Sequence, residues 1–145
     1  VTMRPGGSFF HSVDAFTMAR GGRLDAVVLG AFQVSERGDL ANWWSPHMGA
    51  GGIGGAMDLA VGAKRVIAMM EHTSKTGELK LLKECTYPLT TPGCVTTVIT
   101  DLAVIDVVDS RFRLRERAPG VPVETIRDAT GAELDCSAEA PEMEL

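Results

Sequence analysis

Residues 24–32 (LDAVVLGAF) and 65–70 (RVIAMM) are nearly continuous apolar runs, separated by a long polar loop, a cluster of glycines and a short helix-forming stretch. No other feature constrains the fold as much. Runs that are apolar at every position, rather than at alternate ones, read as strands buried on both faces of a parallel sheet. Between them Gly38-Asp39 marks a turn, five of the seven residues 49–55 are glycine, and residues 56–61 (AMDLAV) read as a helix stopped by Gly62. Strand, helix and strand in that order imply a right-handed parallel crossover, and hence an α/β fold.

The rest of the chain supplies further elements. Residues 1–3 alternate like the tail of a strand, and the start at Val1, without an initiator methionine, is expected to fall partway through a longer protein. Pro5-Gly6-Gly7 punctuates a turn. Ser12 or Asp14 can cap a helix through Val13, Phe16, Met18 and Ala19 that ends at Gly21-Gly22. Residues 74–84 are ambiguous, because Leu79, Leu81 and Leu82 fit neither period cleanly. Residues 95–99 and 102–107 are β-branched strands either side of Thr100-Asp101. Residues 111–117 (RFRLRER) alternate as an exposed edge strand whose charge discourages edge pairing. Pro122 at a first helical position, residues 123–130 and Gly131 after them mark a helix. Residues 137–145 are acidic and expected to fray. The whole, residues 1–145, is read as a single domain.

Charge and cysteine usage narrow the function. With 14 basic and 19 acidic residues the formal net charge is −5, a poor balance for general nucleic-acid or anionic-membrane binding. No apolar run approaches the roughly 20 residues of a membrane span. Cys85, Cys94 and Cys136 lack C-x-x-C spacing, and the three histidines, His11, His47 and His72, lack ligand spacing. No metal site is read from them. Buried, reduced thiols and a cytoplasmic location are the expectation.

Sixteen glycines in 145 residues exceed the average usage of about 7%, and the cluster from Gly49 to Gly55 leads into the helix at Ala56. Glycine lets a backbone approach a ligand closely, and a helix start offers unpaired N–H groups to an anion or an oxyanion. Glycine count alone leaves a flexible surface loop equally open. The long loop after Phe32 argues against a dinucleotide fingerprint, and no phosphate-loop motif is present. Glu71, His72 and Lys75 follow the strand 65–70, at the strand end where open α/β sheets place ligands; solvated loop residues are the alternative. Trp43-Trp44 either lines a pocket or anchors its loop, and Met69-Met70 reads as core.

Several ordered blocks resemble one family. They include Pro5-Gly6-Gly7-Ser8-Phe9-Phe10, Arg20-Gly21-Gly22, Leu29-Gly30-Ala31-Phe32-Gln33-Val34-Ser35 and Gly38-Asp39-Leu40-Ala41-Asn42-Trp43. Gly54-Gly55-Ala56-Met57-Asp58-Leu59, Met70-Glu71-His72, Glu84-Cys85-Thr86-Tyr87-Pro88-Leu89-Thr90 and Thr100-Asp101-Leu102-Ala103-Val104 continue the series. Together they resemble the B subunit of class I coenzyme A transferases, of the succinyl-CoA:3-oxoacid and 3-oxoadipate type, from Pro5 to about Gly131.

The resemblance implies an open, mostly parallel sheet with helices on both faces, as in isomerases and deaminases of the same superfamily, which lack the Gly-Asp-Leu-Ala-Asn-Trp block. It implies an A-subunit partner, in a heterodimer or heterotetramer, with the active site between the subunits. It implies coenzyme A as a substrate, no permanently bound cofactor, succinyl-CoA as donor, a 3-oxo acid as acceptor, and a glutamyl–CoA thioester formed by ping-pong chemistry. The block 84–90 leans towards 3-oxoadipate and aromatic catabolism, although the ketone-body type uses a near-identical one. The family's nucleophilic glutamate sits in a Glu-Asn-Gly-Leu-Leu-Gly-type motif that these 145 residues do not contain. It is expected upstream of Val1, so no catalytic residue is assigned here and this part alone is expected to be inactive. The backbone at Gly54, Gly55 and Ala56 is implied to support the thioester oxyanion, and Gln33, Asn42, Glu71 and His72 to line the substrate pocket. The alternative is a non-catalytic CoA-binding or assembly module that lacks the nucleophile.

Overall fold

The structure is a computed structural model in which residues 2–144 are described. Among the described residues three helices, α1 (Ser12–Arg20), α2 (Ala56–Gly62) and α3 (Val123–Asp128), accompany nine strands. The larger sheet has the order β1 (Val27–Gly30), β4 (Val66–Met69), β6 (Val95–Ile99), β7 (Ala103–Val108), β8 (Arg111–Arg117) and β9 (Leu134–Asp135). β1, β4 and β6 run parallel, β7 and β8 form antiparallel pairs, and β9 lies parallel to β8. A smaller sheet pairs β2 (Gln33–Ser35) antiparallel with β3 (Leu40–Ala41) and parallel with β5 (Leu81–Leu82).

The expected crossover is present: β1 leads through α2 into β4, in register from Val27 against Val66 to Gly30 against Met69. β7 and β8 join through Asp109 and Ser110, both at positive φ (52° and 58°), the two-residue turn whose twist suits a hairpin. Val66, Ala68, Val98, Ile105, Phe112 and Leu114 on the larger sheet pack with Ile126 of α3 and with Val34, Leu40 and Leu81 of the smaller one. Each large aliphatic or aromatic side chain in such a core contributes about 1.5–3 kcal/mol relative to exposure.

Six local expectations need correction. Residues 24–32 are not a strand buried on both faces: only Val27–Gly30 form β1, and the face carrying Val28, which is 52% exposed, is uncovered. Residues 111–117 are not an edge, because β9 pairs with Phe112 and Arg113. Their alternation is real, with Phe112 and Leu114 inward and Arg111, Arg113 and Arg115 outward. The acidic tail is tied down over residues 140–143 rather than frayed: Arg117 N–H donates to Pro141 O (3.0 Å), Met143 N–H to Arg117 O (2.9 Å), and Arg117 Nη1 meets Glu142 Oε1 at 2.6 Å; Leu145 lies outside the described residues. The N-cap of α1 is His11, whose Nδ1 accepts from Val13 N–H at 3.2 Å, rather than Ser12 or Asp14. Pro122 caps α3 from outside, and Gly131 is no helix stop; its N–H donates to Leu81 O at 2.7 Å. Thr2 and Met3 form no strand, and Val1 lies outside the described residues.

Candidate functional site

Gly30 ends β1 and Met69 ends β4, and beyond these carboxyl ends the two sheets leave a cavity of about 1280 Å³. Open α/β sheets place ligands in that crevice. The chain turns out of β1 through Ala31 and Phe32 into β2, so the smaller sheet forms one wall. Met69, Met70 and Glu71 leave β4 to form another. Leu79, Lys80, Leu82, Thr86 and Tyr87 close it.

Gln33 and Asn42 line this cavity, and both side-chain amides hydrogen-bond within the protein. Gln33, 6% exposed, accepts through Oε1 from Thr86 N–H (2.8 Å) and Tyr87 N–H (3.1 Å), while its Nε2 donates to Thr86 Oγ1 (2.9 Å). Asn42 Nδ2 donates to Gly30 O (3.0 Å), and its Oδ1 accepts from Thr90 Oγ1 (2.6 Å). Both therefore position the wall. Asp39 does the same one turn earlier, accepting from Ser35 Oγ (2.6 Å) and Gly93 N–H (3.0 Å). Trp43 anchors its loop through Nε1 to Leu89 O (3.3 Å), and Trp44 stands edge-on to Tyr87, with ring centroids 6.4 Å apart.

Glu71 and Lys75 line the cavity and are exposed. His72, placed in the pocket by sequence, does not line it. Its ring is 1% exposed, with Nδ1 at 2.9 Å from Thr100 Oγ1 and Nε2 at 3.1 Å from Thr130 Oγ1. The chain alternates at the strand end, so Glu71 points out where His72 points in. Burial pushes the His72 pKa down; nearby Asp101 opposes this and Lys80 adds to it. Met69, read as core, is 54% exposed and lines the cavity.

Gly54, Gly55 and Ala56 form the N-terminal turn of α2 and do not line the cavity. Gly54, at φ +54°, has open space around it. A Cβ at Gly55 would run into the ring of Phe16, so this glycine admits α1 against α2. The glycine turn is therefore not part of the cavity wall in this chain.

Sequence reasoning did not single out Lys80. It is half-buried in the cavity wall, next to β5. Burial pushes its pKa down, while Glu71 and Asp101 hold it up. The available signal was a lysine beside an apolar pair in the stretch whose period was ambiguous. Cys85, Cys94 and Cys136 are half-buried rather than buried; burial pushes Cys85 up to about 12 and Cys94 to about 11, with Asp39 adding to both shifts.

The sequence model of the coenzyme A transferase family matches residues 1–129. The chain is 51% identical over 138 residues to the B subunit of the 3-oxoadipate CoA-transferase of Pseudomonas putida, covering 92% of this chain and 63% of that protein. It is 48% identical over 135 residues to the B subunit of the succinyl-CoA:3-ketoacid coenzyme A transferase of Helicobacter pylori, covering 93% and 65%. It thus spans just under two-thirds of the length of these relatives. Among solved structures, an acyl-CoA transferase from Escherichia coli O157:H7 superposes with a TM-score of 0.83 at 22% identity, covering 94% of this chain and 31% of that one, a likeness of fold.

Proposed function

The chain belongs to the coenzyme A transferase family, and from that premise we propose that it forms the acid-binding part of a CoA-transferase B subunit acting with an A subunit in the cytoplasm. The observation that carries this reading is the large cavity beyond the ends of β1 and β4, with apolar walls and Glu71, Lys75 and Lys80 among its lining. An acyl chain with a carboxylate suits it. The relatives named for 3-oxoadipate and for succinyl-CoA:3-ketoacid transfer support succinyl-CoA as donor and a 3-oxo acid as acceptor.

In this proposal a glutamate outside residues 1–145 attacks the donor's thioester carbonyl. The C–S bond breaks and an acyl–glutamyl anhydride forms with CoA thiolate. The thiolate then attacks the glutamyl carbonyl and releases the donor acid. The acceptor carboxylate reverses both steps, regenerating the glutamate. The cavity holds the acid while this happens. Gly54, Gly55 and Ala56 support the oxyanion only where assembly with the partner puts the reacting carbonyl against their turn.

The test uses the full-length B subunit co-expressed with its A subunit. Succinyl-CoA with acetoacetate or 3-oxoadipate should yield the acceptor's CoA ester, and borohydride should trap a glutamyl thioester. CoA binding without transfer to any acid would instead favour the non-catalytic module.

A further inference from the structure

We propose that Lys80 selects among acids by pairing its ammonium with the carboxylate that is not undergoing transfer, so that it favours dicarboxylic over monocarboxylic substrates. This rests on the transferase reading of the cavity.

The backbone at Lys80 is fixed, because its carbonyl accepts from Val34 N–H at 3.0 Å across the β2–β5 pairing. The side chain is half-buried in a wall with Phe32, Met70, Leu79 and Leu82. Among the described residues no carboxylate oxygen lies within 4.0 Å of its ammonium, whereas the ammonium of Lys64 is paired with Asp25 at 2.7 Å. An ammonium that has lost part of its hydration without gaining a partner is poorly satisfied, and apolar surroundings strengthen its attraction to an arriving carboxylate. Glu71 and Asp101 act on Lys80 from beyond pairing distance, favouring its charged form without occupying it.

The chemistry favours a carboxylate over a phosphate. Among the described residues no arginine lines the cavity, and a lone lysine is a point charge without the fork that recognises phosphate in two places. Glu71 shares the lining and repels a second anion, which directs the acid's free carboxylate to Lys80. Lys75 also lines the cavity but is exposed, where a charge pair is weaker.

The experiment measures kcat and KM for 3-oxoadipate and acetoacetate with succinyl-CoA in the complete heteromer, for the parent protein, Lys80→Met and Lys80→Arg. Circular dichroism and melting check that each variant folds. Lys80→Met should lower the ratio of kcat/KM for 3-oxoadipate to that for acetoacetate about tenfold, chiefly through KM, and Lys80→Arg should retain most of the ratio. An unshifted ratio, or an equal fall with both acids, overturns the inference. So does a parent enzyme that transfers CoA to acetoacetate and rejects 3-oxoadipate. A heteromer that transfers CoA to no acid overturns the transferase reading itself.

Discussion

The side-chain amide of Gln33 holds Thr86 at both ends: Oε1 accepts from the Thr86 amide at 2.8 Å and Nε2 donates to its hydroxyl at 2.9 Å. This ties β2 to the loop carrying Tyr87, a residue of the cavity wall. Gln33→Leu keeps the volume and removes these bonds, leaving the Thr86 and Tyr87 amides without their acceptor. The loss should be about 2 kcal/mol in urea-unfolding experiments. A midpoint within error of the parent would show that the loop is held by other contacts.

His72 gives stability a pH dependence of known sign. Burial sets its folded pKa below the ordinary 6.5. The unfolded chain therefore takes up a proton first as pH falls. The contribution is complete above about 6.5 and is lost progressively as pH drops from there through the folded value. The urea midpoint should decline across that window, and His72→Gln should show a shallower decline. Equal slopes in the two proteins would contradict this.

The glycines should rank by what a methyl group meets. At Gly62 a Cβ would overlap the carbonyl group of Ala19, so Gly62→Ala should separate α1 from α2 at a cost of about 1–3 kcal/mol. At Gly55 it meets the outer ring atoms of Phe16, which can rotate away, and the cost should be smaller. At Gly52 nothing lies within 4 Å, so Gly52→Ala should be near neutral. Thermal melts of the three variants test this order; a Gly52→Ala loss as large as that of Gly62→Ala would contradict it.

Cys85 and Cys94, pushed up to about 12 and about 11 by burial, hold little thiolate near neutrality. Alkylation by iodoacetamide at pH 8, followed site by site by mass spectrometry, should be slow in the folded protein and fast in urea. Native labelling at the rate of a free thiol would show either site to be open.

The periodicity of residues 27–30, 66–69, 95–99 and 103–108, and the alternation of 111–117, already point to strands, because side-chain direction along a strand is a local property. The pattern misled where a neighbour decided burial. Residues 24–32 look buried throughout, yet nothing covers the face of β1 that carries Val28 among the described residues. β5 and β9 were illegible for a related reason. Each is two residues long and is a strand only because Val34–Ser35 and Phe112–Arg113 offer it a ladder.

The candidate site divides the same way. Gln33, Asn42 and Glu71 were recognisable as belonging near the strand ends, and all three line the cavity. That Gln33 and Asn42 spend their hydrogen bonds on Thr86, Tyr87, Gly30 and Thr90 depends on partners distant in sequence. His72 is withdrawn from the cavity by Thr100 and Thr130, 28 and 58 residues further along the chain. Lys80 becomes noticeable only once its burial and its lack of a partner are known.

The longer strands and the helices, the parallel crossover and the membership in the coenzyme A transferase family follow from residues close together in the chain, through periodicity, turn chemistry and ordered motifs. Which strand lies outermost, which side chains are exhausted by hydrogen bonds, and which charge is left half-buried and free to meet a ligand were settled by tertiary packing. Burial and pairing are properties of segments brought together across long loops, and no local pattern encodes them.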